Sequence, residues 1–255
     1  MLLLLYTPLE QFQILSFVSF NLFYLDFSFT NIMLITLLLF YLLYFTVFFF
    51  SASDKTLYVI PNNWQIILEL FYEVIAQLLF DNINKKGEIY FPFIINIFLF
   101  VMFSNLIGLV PYSFTVTSHI IITFTLSLMI FIGVNIISIN IYKFKMLSLF
   151  IPANTTIHLA LLLVPIEFIS YIFKPISLGV RLFANLMAGH TLLKVIVGFS
   201  WTMIMLNNLM LSVLHILPLA VLVLLFGLEL GVALIQAYVF TILSCIYLNE
   251  SINLH

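Results

Sequence analysis

The feature that most constrains this chain is a series of apolar runs that are each long enough to cross a membrane. A transmembrane α-helix needs about 20 consecutive apolar residues, and the runs at about 158–199 and 206–248 exceed that length. The runs lack the alternating period of barrel strands. The chain is 64% hydrophobic and only 7% charged, whereas soluble domains average about 25% charged residues. The sequence therefore predicts an all-α integral membrane protein with several spans.

The apolar runs and the polar stretches between them predict a single membrane domain with about five embedded helices and one surface helix. Glu69, Glu73 and Gln77 recur every four residues and make one polar stripe, which is typical of an amphipathic helix on a surface. The last two runs are longer than a perpendicular span needs, so we expect long tilted helices. The predicted elements are an N-terminal segment at 1–30, a first span at 31–50, the surface helix at 64–83, spans at 91–110 and 120–142, and long helices at 155–199 and 206–250.

The lysines predict the orientation of the spans. The loop at 111–119 has no Lys or Arg, whereas the other loops carry Lys55, Lys85, Lys86, Lys143 and Lys145. Positively charged loops stay on the side of synthesis, so we expect the 111–119 loop to face the opposite side.

Composition and missing motifs exclude several classes of function. No basic patch is present to hold phosphates, so the sequence predicts no nucleic-acid partner. The phosphate loop GxxxxGK[ST] and a nucleophile–base pair are absent, so the chain is not expected to be an enzyme on its own. Cys245 is the single cysteine, which excludes an internal disulfide and a multi-cysteine metal site, and no metal or cofactor is predicted. The N-terminus lacks secretory and import signals. The chain is hydrophobic and its amino-acid composition is the one that AT-rich codons would give, which favours synthesis inside an organelle.

Arg181 is the residue that demands an explanation. Its charge is permanent, and a charge at the bilayer centre costs at least about 2.5–3.5 kcal/mol, so it marks a functional site by default. Glu167 and Lys174 precede it at intervals of seven residues and share its helix face. No acidic residue lies within a turn or two of Arg181 on its own helix, so a group outside the helix must hold it.

Further polar residues accompany Arg181 on the two long helices. Asn185 lies one turn beyond Arg181, and His190 points to another side of the same helix. The last helix carries Glu229, Gln236 and Glu250, and we expect the two helices to pair face to face. Purely structural alternatives remain open: a local Glu167–Lys174 ion pair, interhelical hydrogen bonding by Asn185 and Gln236, and a core histidine at 190.

Four segments carry a resemblance to subunit a of the rotary F-type ATP synthases of the mitochondrial type. They are TPLEQFQI at 7–14, VPYSFTVTSH at 110–119, SLGVRLFANLMAGH at 177–190 and LELGVALIQAYVFTILSCIYLNESINLH at 228–255. The resemblance implies that the two long helices pack as a hairpin against a ring of c subunits. This chain departs from the family's sequence pattern at Pro152–Leu159 and at Lys174-Pro175. In some relatives a short leader is removed, which leaves open whether the residues before about Pro8 belong to the mature chain.

The same resemblance implies roles for individual residues. Arg181 is similar to the family's essential arginine, which faces the c-ring and separates two half-channels. His190 and Glu229 match the pair that lines the proton inlet, and Glu167 and Glu250 match acidic positions near the outlet. Asn185 and Gln236 match the polar neighbours of the arginine.

The resemblance also implies partners and a location. The partners are the c-ring (the subunit c oligomer), peripheral-stalk subunit b and other Fo membrane subunits, membrane lipid, protons and, indirectly, the catalytic head. The location is the mitochondrial inner membrane, with a bacterial plasma membrane as the alternative. Proton against sodium coupling stays open. Two rival functions are a secondary transporter or channel, which would have repeated halves, and a structural membrane subunit of a respiratory complex.

Overall fold

Six α-helices dominate the computed structural model, which describes residues 9–22, 25–52, 63–110, 113–143, 157–205, 210 and 214–253. The helices are α1 (Asn31–Ala52), α2 (Asn63–Ile83), α3 (Phe91–Gly108), α4 (Ile120–Tyr142), α5 (Ile157–Met205) and α6 (Ile216–Ile252). Short 3-10 helices occupy Glu10–Phe12, Asn84–Tyr90 and Val116–Ser118. Before α1, two antiparallel strand pairs join Ser16–Val18 to Phe29–Thr30 and Asn21–Leu22 to Leu25–Asp26.

Within the described ranges, four helical stretches are long and apolar enough to cross a membrane, and α1 adds a shorter apolar one at Asn31–Thr46. The four stretches are Gly87–Gly108, Ile120–Tyr142, Ala160–Met205 and Ile216–Ile252. A helix satisfies its own backbone hydrogen bonds, which lipid cannot do. The prediction of an all-α membrane protein is therefore confirmed; the small strand pairs of the N-terminal segment were not predicted.

Helix α2 separates polar from apolar residues. Its exposed side carries the predicted stripe and its continuation, namely Glu69, Glu73, Gln77 and Asp81. Ile75, Leu79 and Ile83 are at most 3% exposed on the opposite side. A helix with one apolar side needs only one covered face, which is the arrangement expected of a surface helix.

Helices α5 and α6 are much longer than the others, with 49 and 37 residues. Helix α5 continues through Pro165 and Pro175, each of which removes one backbone hydrogen bond. Helix α6 begins at Ile216, later than the predicted start at 206, and most positions between 206 and 213 lie outside the described residues. Pro218 stands in the first turn of α6, where a missing N–H costs nothing.

The helices contribute to two compact units. The first unit takes in Met1–Phe45, Phe100–His119 and Phe183–Ala237, and the second takes in Thr46–Leu99, Ile120–Leu182 and Tyr238–His255. The long helices α5 and α6 pass through both, so each helix supplies polar residues to each unit.

Small residues allow α4 and α5 to approach closely within the second unit. Thr123 and Ser127 are 1% exposed on α4, and a Cβ added at Gly179 would lie 2.8 Å from the Ser127 Oγ. Close approach over small residues is a common way for membrane helices to associate. Leu178 and Leu182 are buried beside this contact, at 2% and 0% exposure. The packing fixes the rotation of α5 and therefore decides where Arg181 points.

Candidate functional site

Arg181 lies on the exposed side of α5, next to the buried Leu182. Its charge acts on the phenol of Tyr247 in the same unit. Among the described residues, its guanidinium makes no hydrogen bond or ion pair. An exposed charge in a helix flanked by apolar side chains such as Val180, which is 40% exposed, marks a candidate functional site.

His190 and Glu229 meet within the first unit. The Nδ1 of His190 lies 3.6 Å from the Oε1 of Glu229, and the two side chains are 12% and 7% exposed. That separation is too long for a good hydrogen bond. Neither carboxylate oxygen of Glu229 nor the Nε2 of His190 has a hydrogen-bond partner in the described part of the chain. The structure thus brings the two predicted inlet residues together in a buried, incompletely satisfied pair.

Gly189 makes room for the Glu229 carboxyl, and Gly108 makes room for the Thr115 side chain beside His190. A Cβ added at Gly189 would lie 2.6 Å from the Glu229 Oε1, a distance that real Cβ atoms do not adopt without a shift. A Cβ at Gly108 would lie 2.7 Å from the Cγ2 of Thr115 and 3.8 Å from the Nε2 of His190. The backbone of α3 and α5 therefore approaches the two titratable groups closely.

Asn185 and Gln236 also meet in the first unit. The Nδ2 of Asn185 donates to the Oε1 of Gln236 at 3.0 Å. With the His190–Glu229 contact, this bond shows that α5 and α6 run antiparallel in this unit. The two helices pair through polar residues, as the sequence predicts. The bond between Asn185 and Gln236 is the interhelical hydrogen bond that the sequence analysis left open as a structural alternative.

Further buried polar atoms lie in the same unit. The atoms without a hydrogen-bond partner in the described part of the chain are the Oδ1 of Asn105, the Oγ1 of Thr115 and Thr117, and the Nε2 of His119. Burial lowers the pKa of His119 from its usual value, which favours the neutral imidazole. No spacing pattern in the sequence singles out these four residues.

The second unit holds a different polar cluster. The Lys174 Nζ forms an ion pair with Glu250 and lies 5.4 Å and 5.3 Å from the ring centroids of Tyr171 and Tyr247. The side chains of Lys174 and Glu250 are 27% and 43% exposed. The Tyr171 hydroxyl donates to the Oδ1 of Asn135 on α4. Lys174 thus pairs with Glu250 on α6. The alternative of a local ion pair between Lys174 and Glu167 is wrong.

Glu167 lies in the second unit, on α5. Its Oε2 is buried and has no hydrogen-bond partner in the described part of the chain. No group of three or more His, Cys, Asp or Glu residues that could hold a metal ion occurs among the described residues.

Comparisons with known proteins identify the family. The family model described as "ATP synthase A chain" matches residues 32–249. The chain is 55% identical over 249 residues to "ATP synthase subunit a" of Pylaiella littoralis, an alignment that covers 98% of this chain and 99% of that protein. It is 49% identical over 249 residues to the protein of that name from Chondrus crispus, covering 98% and 97%. With the Marchantia polymorpha protein of the same name, the identity is 44% over 252 residues, covering 98% and 99%. The chain therefore belongs to the ATP synthase A chain family, which makes it a proton-translocating membrane component of the ATP synthase complex and not one of its catalytic subunits.

Proposed function

We propose that this chain is the stator of the Fo motor and offers two offset aqueous half-channels to the carboxylates of a c-ring. His190 and Glu229 line the inlet, Glu167 and Glu250 line the outlet, and Arg181 separates the two. Proton flow through them drives rotation, and the complex makes ATP elsewhere. The observation that carries the proposal is the exposed guanidinium of Arg181, since a permanent intramembrane charge needs an outside partner.

The inlet assignment rests on the buried polar atoms of the first unit. Folded proteins rarely leave buried polar groups without partners, and ordered water commonly supplies the missing hydrogen bonds. His190 and Glu229 lie 3.6 Å apart, and Thr115 and Asn105 bring further unpartnered oxygens to the same unit. A row of such groups favours a hydrated path on which protons move between water and side chains.

The outlet assignment rests on the second unit and its loops. Glu250 is 43% exposed and Glu167 has a buried unpartnered oxygen. The loops of this unit carry Lys85, Lys86 and Lys143. Such loops belong to the side of synthesis, which for an organelle-made subunit is the matrix side, where protons must leave.

Arg181 then works by charge alone. An opposite charge within about 4–6 Å favours the ionised form of a carboxyl, so a c-ring carboxyl that reaches Arg181 releases its proton. Once neutral again after loading at the inlet, the carboxyl crosses lipid without the cost of a buried charge. The fixed cation also repels protons between the two half-channels, which prevents a short circuit.

The partners and location follow from the same assignment. The c-ring contacts Arg181, subunit b of the peripheral stalk and other Fo membrane subunits hold the stator in place, and the catalytic head is linked through them. Lipid surrounds the remaining apolar faces. The mitochondrial inner membrane is the location, in keeping with relatives from algae and plants.

The test is proton movement in membrane vesicles that carry the assembled complex with Arg181→Ala. We expect ATP-driven pumping to be lost and a passive leak to appear down an imposed gradient, because the barrier between the half-channels is removed. Val180→Ala is the matched control, since it changes a neighbouring side chain that is also exposed. Intact pumping in Arg181→Ala would mean that the charge has only a structural role. It would favour the rival function of this chain as a structural membrane subunit.

A further inference from the structure

One short part of the N-terminal segment reaches the His190–Glu229 pair. We call the 3-10 helix Glu10–Phe12 the N-terminal clip. Phe12 is 8% exposed, whereas the residues that follow it, 13–20, are all exposed. A single buried aromatic ring in an otherwise exposed stretch indicates a specific contact and not general packing.

The contact of Phe12 is with His190. The two ring centroids lie 6.3 Å apart at an interplanar angle of 65°, an edge-on arrangement. This is a favoured geometry for aromatic pairs. The same imidazole directs its Nδ1 toward the Oε1 of Glu229, so Phe12 and Glu229 together restrict the rotation of the His190 ring.

An electrostatic interaction also links the clip to α5. Glu10 acts electrostatically on Lys194, which lies four residues after His190 and therefore on the same face of α5. The clip thus interacts with two consecutive turns of α5, by the contact of an aromatic ring and by the attraction of opposite charges. Within the described part of the chain, Glu229 from α6 and Lys194 from α5 act on His190, and Glu10 from the clip acts on Lys194.

The chain just after the clip is hydrogen-bonded to the start of α1. Asn31 Nδ2 donates to the Gln13 carbonyl at 3.1 Å, and the Leu15 N–H donates to the Asn31 Oδ1 at 3.3 Å. The Asn31 N–H donates in turn to the Leu15 carbonyl at 3.1 Å. The chain just beyond the clip is therefore fixed to the start of a helix, which allows the clip to bear on His190.

We propose that the N-terminal clip is a positioning element of the proton inlet: Phe12 holds the His190 imidazole in the orientation that faces Glu229, and the Glu10–Lys194 attraction holds Phe12 there. The inference rests on the proposed inlet role of His190 and Glu229. It assigns to the start of the chain a part in proton transfer that is separate from membrane anchoring.

The experiment compares proton pumping in vesicles that carry the assembled complex with Phe12→Ala, Phe12→Tyr or Phe12→Leu, each normalised to the amount of complex. Pumping is measured across a range of pH on the inlet side. We expect Phe12→Ala to slow pumping between about 2- and 10-fold, the range that an aromatic pair supports, and to shift the pH of half-maximal rate. Phe12→Tyr should restore both quantities. Phe17→Ala is the matched control, since Phe17 lies in the same segment and is 62% exposed.

Charge reversal tests the anchor. Glu10→Lys should slow pumping and Glu10→Lys with Lys194→Glu should recover it. Phe12→Leu keeps apolar volume without an aromatic edge, so it is expected to assemble and still to shift the pH profile. An unchanged pH profile in both Phe12→Leu and Phe12→Ala, or a loss that follows only the amount of complex, would overturn the inference. His190→Ala is measured in parallel: if it still pumps, the inlet proposal itself fails, whereas a dead His190→Ala with normal Phe12 variants rejects the clip alone.

Discussion

The polar clusters of the two units are built on opposite principles. In the first unit, the Glu229 side chain is 7% exposed and faces an imidazole at 3.6 Å, and its oxygens accept no hydrogen bond from the described residues. In the second unit, Glu250 is 43% exposed and paired with Lys174, whose ammonium lies beside two tyrosine rings. The Glu229 carboxylate is buried without a hydrogen-bond donor among the described residues, and the Glu250 carboxylate is accessible and paired with a cation.

The difference teaches what each cluster is suited to. A buried polar group without a fixed partner carries a desolvation cost that a passing proton or water relieves. A half-exposed ion pair is already solvated and contributes little to stability. The first cluster is therefore expected to be sensitive to small changes, and the second to be tolerant.

The largest expected effect comes from neutralising each carboxyl. Glu229→Gln should reduce ATP-driven pumping by about 100-fold or more, the scale of losing an acid–base group. Glu250→Gln should keep a larger share of the rate, because water reaches this position and can carry the proton. The measurement is the rate of dye quenching in vesicles, normalised to assembled complex. Equal losses in the two variants would remove the proposed contrast.

A smaller effect is expected from crowding the buried pair. Gly189→Ala places a methyl group 2.6 Å from the Glu229 Oε1, which should displace the carboxylate at a cost of about 1–3 kcal/mol and slow pumping by about tenfold. Gly198→Ala is the control on the same helix, since a Cβ there meets nothing within 4 Å. Pumping rate and thermal dissociation of the complex are the readouts. A normal Gly189→Ala rate would mean that Glu229 does not need its present position.

The smallest effect is expected at the ion pair of the second unit. Lys174→Met should slow pumping by no more than about fivefold, because exposed pairs are worth roughly 0–1 kcal/mol. Lys174→Met should not slow pumping further in a Glu250→Gln background if the lysine acts only through this carboxylate. Rates of the two single variants and the double variant form the cycle that measures the coupling. A loss as deep as that of Glu229→Gln would show that the second cluster is as sensitive as the first.

Much of the fold could be predicted from the sequence because membrane insertion is a local rule. The spans expected at 91–110 and 120–142 correspond to α3 and α4, and the polar stripe of α2 is exposed as expected. The predicted start of the last helix at 206 lies outside the described residues, and the structure describes α6 from Ile216.

The site could be predicted only as a set of residue types. Seven-residue spacing placed Glu167 and Lys174 on one face, but Lys174 pairs with Glu250 from the other helix. Helices that are apolar on all sides carry no periodic signal for an inward face, so the rotation of α5 depended on a contact at Gly179 with Ser127. The stripe of small residues on α4 was a usable signal for that contact.

The sequence by itself determined that this chain lies in a membrane as helices and that Arg181 needs a partner outside its own helix. Both conclusions follow from the cost of placing backbone polar groups and charges in hydrocarbon, which depends on local sequence alone. Only the tertiary structure decided that Phe12 contacts His190, that Gly189 accommodates Glu229 and that Lys174 meets Glu250. These contacts join residues far apart in the chain, and they depend on how each helix is rotated and where it bends, because lipid offers apolar faces no preferred partner.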